Sequence, residues 1–230
     1  MSEITLHCER RGGGPPLLLL HGNGEDGSYF THQMDFFSGI RTVYALDTRG
    51  HGRSPRGTAP FGMEQFALDL LRFMDGNCLE RADILGFSDG GNIALTFALA
   101  HPERVGKLIL NGANLDPSGV KPHIQIPIVL GYKLASLFAE KSPEAKKNAE
   151  ILGLMVKEPG IPREALAGLA APTLVIVGTR DIIKPSHSRL IADSLPNSRF
   201  VELEGGHFIA AKSPDAFNRA VKEFLDDYKE

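Results

Sequence analysis

Gly86-Phe87-Ser88-Asp89-Gly90-Gly91 stands between two runs of opposite character. Before it, Ala82-Asp83-Ile84-Leu85 is short and apolar, as a buried strand is; after it, Asn92 to Ala100 reads as a helix. A strand that passes into a helix through so short a turn strains the middle residue and lifts its side chain above the sheet edge. Neighbouring backbone then runs too close for a Cβ at the flanking positions, which gives Gly86 and Gly90 a steric reason to be glycine. The string G-x-S-x-G arises easily by chance, so its strand-turn-helix context carries the case.

The rest of the chain fits that context. Ile4 to Glu9 alternates loosely and is expected to be an edge strand, with Arg11 to Pro16 as a loop. Leu17-Leu18-Leu19-Leu20 is apolar on both faces, as a strand inside a parallel sheet must be, and it empties into the polar, glycine-rich stretch His21 to Gly27. A helix over 29–37, a strand over 41–46 and the dense loop Asp47 to Ser54 follow; that loop reads as a structural turn fixed by Asp47 and Arg49. Helical spacing returns over 63–77, and a further strand over 105–110 follows the turn helix. Strand-helix alternation then breaks from Asp116 to Ala171, where six prolines surround helical stretches near 129–139 and 143–156. We read 116–171 as an inserted helical lid on a core made of 1–115 and 172–230, with the stripe Leu130, Leu134, Leu137 and Phe138 packing the lid down or lining a substrate pocket, two roles that one inner face can combine. Alternation resumes with a strand at 172–178, a helix at 186–194, a strand at 199–203 and a closing amphipathic helix from Ser213. The expected fold is α/β, a mostly parallel sheet with helices on both faces.

In such a sheet, ligands bind beyond the carboxyl ends of the strands. Ser88, Asp181 and His207 each follow a strand, and a serine nucleophile needs a base to take its proton and a carboxylate to orient that base. Their order along the chain is the one expected when such a triad is built on this kind of sheet. The backbone N–H groups of Asn23 and Asp89 are the candidates to meet the negative charge that develops on an attacked carbonyl oxygen. Asp89 has two readings: an acid favoured in the first turn of a helix, or a carboxylate that binds ammonium-bearing substrates.

These pieces resemble the α/β-hydrolase superfamily in its small-capped esterase branch. The resemblance rests on His21-Gly22-Asn23, Asp47-Thr48-Arg49-Gly50-His51-Gly52-Arg53-Ser54, the turn around Ser88, Asp181 after Val177-Gly178, and Gly206-His207. The Ser-Asp-Gly-Gly turn is also similar to that of the valacyclovir-hydrolase (biphenyl hydrolase-like) group. Haloalkane dehalogenases and epoxide hydrolases place an aspartate where Ser88 stands, and the chain has no Trp for the halide site of the former. The resemblance implies a serine hydrolase acting on small carboxylic esters, with amides or thioesters within reach. Carbon–carbon bond hydrolysis, perhydrolysis or a ligand-binding relative without turnover are the alternatives. No metal or organic cofactor is implied.

A formal charge of −3 over 230 residues, with Lys and Arg scattered, offers no basic stripe for nucleic acid and no polybasic membrane anchor. Cys8 and Cys78 have neither metal nor redox spacing and are expected to be reduced. Without a signal-like first segment or a spanning run, a cytoplasmic protein is expected, monomeric or homodimeric, with a small-molecule ester as its partner.

Overall fold

The four leucines at 17–20 occupy the middle of a seven-stranded sheet and are almost fully shielded from solvent. In the computed structural model, which describes residues 4–227, the strands are β1 (Cys8–Gly12), β2 (Pro16–Leu20), β3 (Thr42–Leu46), β4 (Ala82–Phe87), β5 (Val105–Asn111), β6 (Thr173–Arg180) and β7 (Ser198–Gly206). Their spatial order is β1-β3-β2-β4-β5-β6-β7, with β1 antiparallel to β3 and every other neighbouring pair parallel.

The helices are α1 (Thr31–Phe37), α2 (Met63–Gly76), α3 (Asp89–Ala100), α4 (Pro122–Phe138), α5 (Pro143–Lys157), α6 (Pro185–Ser194), α7 (Ile209–Lys212) and α8 (Pro214–Asp227). Alternate leucines of β2 feed two cores. Leu18 and Leu20 join Phe66, Leu70, Ile93, Phe97 and Ile191 from α2, α3 and α6 on one face, whereas Leu17 and Leu19 join Met34, Phe37, Phe217 and Phe224 from α1 and α8 on the other. Each buried leucine contributes about 2 kcal/mol of apolar transfer. No helix among the described residues is long and apolar enough to cross a membrane.

Two expectations need correction. The first strand is Cys8–Gly12, so Arg11 and Gly12 belong to it rather than to a loop and Arg10 extends it, while residues 4–7 lie outside it. Arginines disguised it, yet charge on an exposed edge strand discourages pairing with other chains. Gly12 ends it at φ +82, a conformation open to glycine, where a Cβ would run into the carbonyl of Arg41.

The second correction concerns 116–171. Its first helix begins earlier than expected, since α4 starts at Pro122 and runs through Pro127, whereas α5 starts at Pro143 as expected. Leu130, Leu134, Leu137 and Phe138 do not pack the segment down but face away from the core, 50–75% exposed. The outward face follows from pairing: α4 meets α5 through Gln125, Gly131 and Tyr132, which leaves the stripe outside that contact. Leu154, Leu166 and Leu169 from the same segment already lie in the core cluster.

Candidate active site

Ser88 sits at the junction of β4 and α3 with φ 52 and ψ −120, one of two described non-glycine residues at positive φ. The turn is pinned from both sides. Ser88 N–H donates to the Asn111 carbonyl at 2.8 Å, and the Ser88 carbonyl accepts from Gly91 and Asn92 at 2.8 and 3.1 Å. A Cβ on Gly86 would overlap the Gly90 carbonyl, and one on Gly90 would overlap the Leu20 carbonyl, so both glycines are required by close approach.

The structure brings three of the sequence-identified residues into one hydrogen-bonded chain. His207 Nε2 lies 3.0 Å from Ser88 Oγ, and its Nδ1 lies 2.7 Å from Asp181 Oδ1. Asp181 follows β6, and His207 follows β7, which lies beside β6 in the sheet. Asp181 Oδ1 also accepts from the Ile183 N–H at 2.9 Å. Burial alone would raise this carboxyl, but hydrogen bonding and charge from His207, with the Ile183 N–H, hold it below its ordinary range. With Asp181 ionised, Nδ1 carries the proton and Nε2 is free to accept from Ser88 Oγ. Phe87 and Phe208 flank the imidazole at ring distances of 4.8 and 5.6 Å, and Tyr29 stacks on Phe87 at 4.4 Å.

The backbone N–H groups of Asn23 and Asp89 have no protein acceptor among the described residues. The loop carrying Asn23 is held by His21, whose Nε2 accepts from the Thr48 N–H at 3.0 Å, so its Nδ1–H donates to the Gly22 carbonyl at 2.7 Å. Burial lowers the His21 pKa to about 4, which keeps the ring neutral and this tautomer in place. Glu25 Oε2 accepts from Gly22 N–H at 3.2 Å, and burial pushes its carboxyl up to about 6.

Side chains do more here than the sequence disclosed. Asn23 Nδ2 donates both to Asp89 Oδ2 at 2.7 Å and to the Ile151 carbonyl of α5 at 2.8 Å. Asn92 Nδ2 approaches Asp89 Oδ1 at 3.3 Å and Asn114 Oδ1 at 3.1 Å. Both carboxylate oxygens of Asp89 are therefore occupied by amides, although burial still raises its pKa to about 6. Asn92 carried a legible signal, one helical turn beyond Asp89. The contact with Ile151 carried none, because it joins residues 128 positions apart. The loop Asp47 to Ser54 is structural as expected: Asp47 accepts from the N–H groups of Gly27 and Arg53, and Arg49 forms a buried two-pronged pair with Asp69.

A parallel sheet that presents a serine, an imidazole and a carboxylate on three strand-end turns is the framework of a hydrolase. Comparison with known proteins agrees: a family model described as alpha/beta hydrolase fold matches residues 15–133, and one described as serine hydrolase (FSH1) matches residues 79–216. The chain belongs to the α/β-hydrolase family. It is 31% identical over 251 residues to a Caulobacter sp. (strain K31) protein named carbamate hydrolase RutD, covering 93% of each chain. The enol-lactonase of Burkholderia xenovorans LB400 superposes with a TM-score of 0.82 at 25% identity, over 97% of both chains. A thermophilic esterase from Thermogutta terrifontis superposes at 0.80, also at 25% identity, over 97% of this chain and 94% of its own.

Proposed function

We propose that the protein is a serine hydrolase of small carboxylic esters that works through an acyl-enzyme. The observation that carries this reading is the chain Ser88 Oγ to His207 Nε2 and His207 Nδ1 to Asp181 Oδ1, at 3.0 and 2.7 Å. Ser88 Oγ attacks the carbonyl carbon while His207 takes its proton, and Asp181 holds the imidazole and stabilises the imidazolium. The N–H groups of Asn23 and Asp89 receive the oxyanion, each such donor worth about 3 kcal/mol. The alcohol leaves with the proton from His207. Water, deprotonated by the same nitrogen, then attacks the acyl carbon and releases the acid.

The inserted segment 116–171 is the proposed lid, with the Asn23 to Ile151 contact as its point of attachment beside Ser88. Carbamate hydrolysis is the second reading, favoured by the similarity to proteins named RutD along more than nine-tenths of the chain. It uses the same attack and oxyanion, with a carbamoyl-enzyme in place of the acyl-enzyme. The test is labelling with a fluorophosphonate, alongside hydrolysis of p-nitrophenyl acetate, p-nitrophenyl butyrate and a p-nitrophenyl carbamate. Labelling and turnover by the wild type that vanish in both Ser88→Ala and His207→Ala support the reading, and the faster substrate class chooses between ester and carbamate. A wild type that does not label overturns it.

A further inference from the structure

The helix α4 is rich in large apolar side chains, with Gln125, Lys133 and Ser136 confined to one flank, a composition that belongs to a covered helix, yet not one of its residues is buried. Gln125, Gly131, Tyr132 and Ala135 lie on the side toward α5. Ile126, Leu130, Leu134, Leu137 and Phe138 form an outer ridge, spaced at four, four, three and one, and stand 50–75% exposed, with Leu134 and Phe138 on its edge nearest α5. Beside this ridge, between α4 and α5, runs a groove of about 470 Å³ whose walls include Leu134, Ala135, Phe138, Ile151 and Leu152.

We infer that this face of α4 is the interface of a homodimer, in which the Ile126–Leu130 end of one α4 seats in the α4–α5 groove of a second copy and receives the same contact in return. The groove opens beside the Leu134–Phe138 end of the ridge, away from its Ile126–Leu130 end, so an antiparallel pair about a twofold axis satisfies both and closes without exposing a new face. The area suffices. Five large apolar side chains exposed to this extent present about 500 Å², the size of a patch that marks a contact surface. A symmetric pair covers about 1,000 Å², the threshold for a specific interface.

The rim argues for a second copy rather than a lipid surface. Lys133, Glu140, Lys141 and Glu144 surround the ridge with mixed sign, and the chain has no Trp, whereas a membrane-binding face carries a basic border and interfacial aromatics. The 17-residue α4 therefore uses one side to hold α5 and the other to hold its counterpart.

Sedimentation velocity from about 5 to 100 µM tests this, on the wild type and on Leu130→Lys/Leu134→Lys, whose side chains are exposed in the single chain and so are not needed for its folding. The expected result is a wild type at twice the chain mass of 24.9 kDa and a variant at the single mass. Should the double variant fold poorly, Leu134→Cys and Lys147→Cys in a Cys8→Ser/Cys78→Ser background replace it: oxidative cross-linking at 134 but not at 147 supports the interface. A wild type that stays at single mass to 100 µM, a dimer that survives the lysine substitutions, or equal cross-linking at both positions overturns it. Co-flotation of single-mass wild type with phosphatidylcholine/phosphatidylserine vesicles also overturns it, in favour of a membrane.

Discussion

Asp89 gives the chain a stability cost that can be read by titration. Its carboxyl rises from 3.8 to about 6 because burial outweighs the donors Asn23 and Asn92. The folded chain thus binds this proton more tightly than the unfolded chain does. The resulting stability is fully present below about pH 4 and is lost as pH rises through about 6. A shift of about two units at about 1.4 kcal/mol each amounts to about 3 kcal/mol at about pH 8, and to about 1 kcal/mol at about pH 4.5. Asp89→Asn removes that dependence while keeping the shape. It leaves one amide facing another donor, since Asn23 and Asn92 both point N–H groups at the site, and that mismatch costs about 1 kcal/mol at every pH. The variant should be more stable than the wild type by about 2 kcal/mol at about pH 8 and about equal at about pH 4.5. Urea unfolding followed by circular dichroism at both values measures this, and groups such as His21 that titrate in both proteins cancel in the difference. A variant-minus-wild-type difference that is the same at the two pH values would refute the reasoning.

Three other perturbations probe the scaffold of the site. Gly90→Ala places a methyl inside the Leu20 carbonyl and should cost more than about 4 kcal/mol, read as loss of soluble protein or a collapsed melting temperature. Asn23→Ala keeps the backbone N–H but cuts the links to Asp89 and Ile151; we expect kcat/KM to fall by about tenfold, with faster hydrogen exchange in α5 as the independent readout. Arg49→Met removes the two-pronged partner of Asp69, whose side chain is 3% exposed, and leaves it Gln65 Nε2 at 3.0 Å and Arg72 at 4.0 Å; the unfolding free energy should fall by about 3 kcal/mol, measured by urea titration.

The parallel strands were legible because burial on both faces leaves uninterrupted apolar runs such as Leu17 to Leu20. Ser88 and Asp181 were legible because each follows such a run, and His207 because it follows the glycine pair that ends the mixed edge strand β7. The edge strand was misplaced because Arg11 and Gly12 look like loop residues, whereas an edge tolerates charge. The direction of the α4 stripe was hidden for a different reason: Ile124, Ile128 and Val129 stand beside Leu130 and Leu134 on a helix with apolar residues on more than one face, so periodicity names no single inner face. At Asp89 a local reading of the sequence suggests a free carboxylate beside the nucleophile. The amides that occupy it come from residues 23 and 92, one of them 66 positions away, and no local pattern announces that contact.

The strand order has a consequence for synthesis. The five strands β1 to β5 occupy one contiguous side of the sheet and are complete by residue 111, so the turn that carries Ser88 can form early in translation. His207 and Asp181, its proposed base and orienting acid, follow β7 and β6 at the far edge, and the second core stays open until Phe217, Val221 and Phe224 of α8 close it. Under the proposed mechanism a ribosome-bound chain presents its serine before its partners are made, and the nucleophile is armed only once the last strands and α8 are in place.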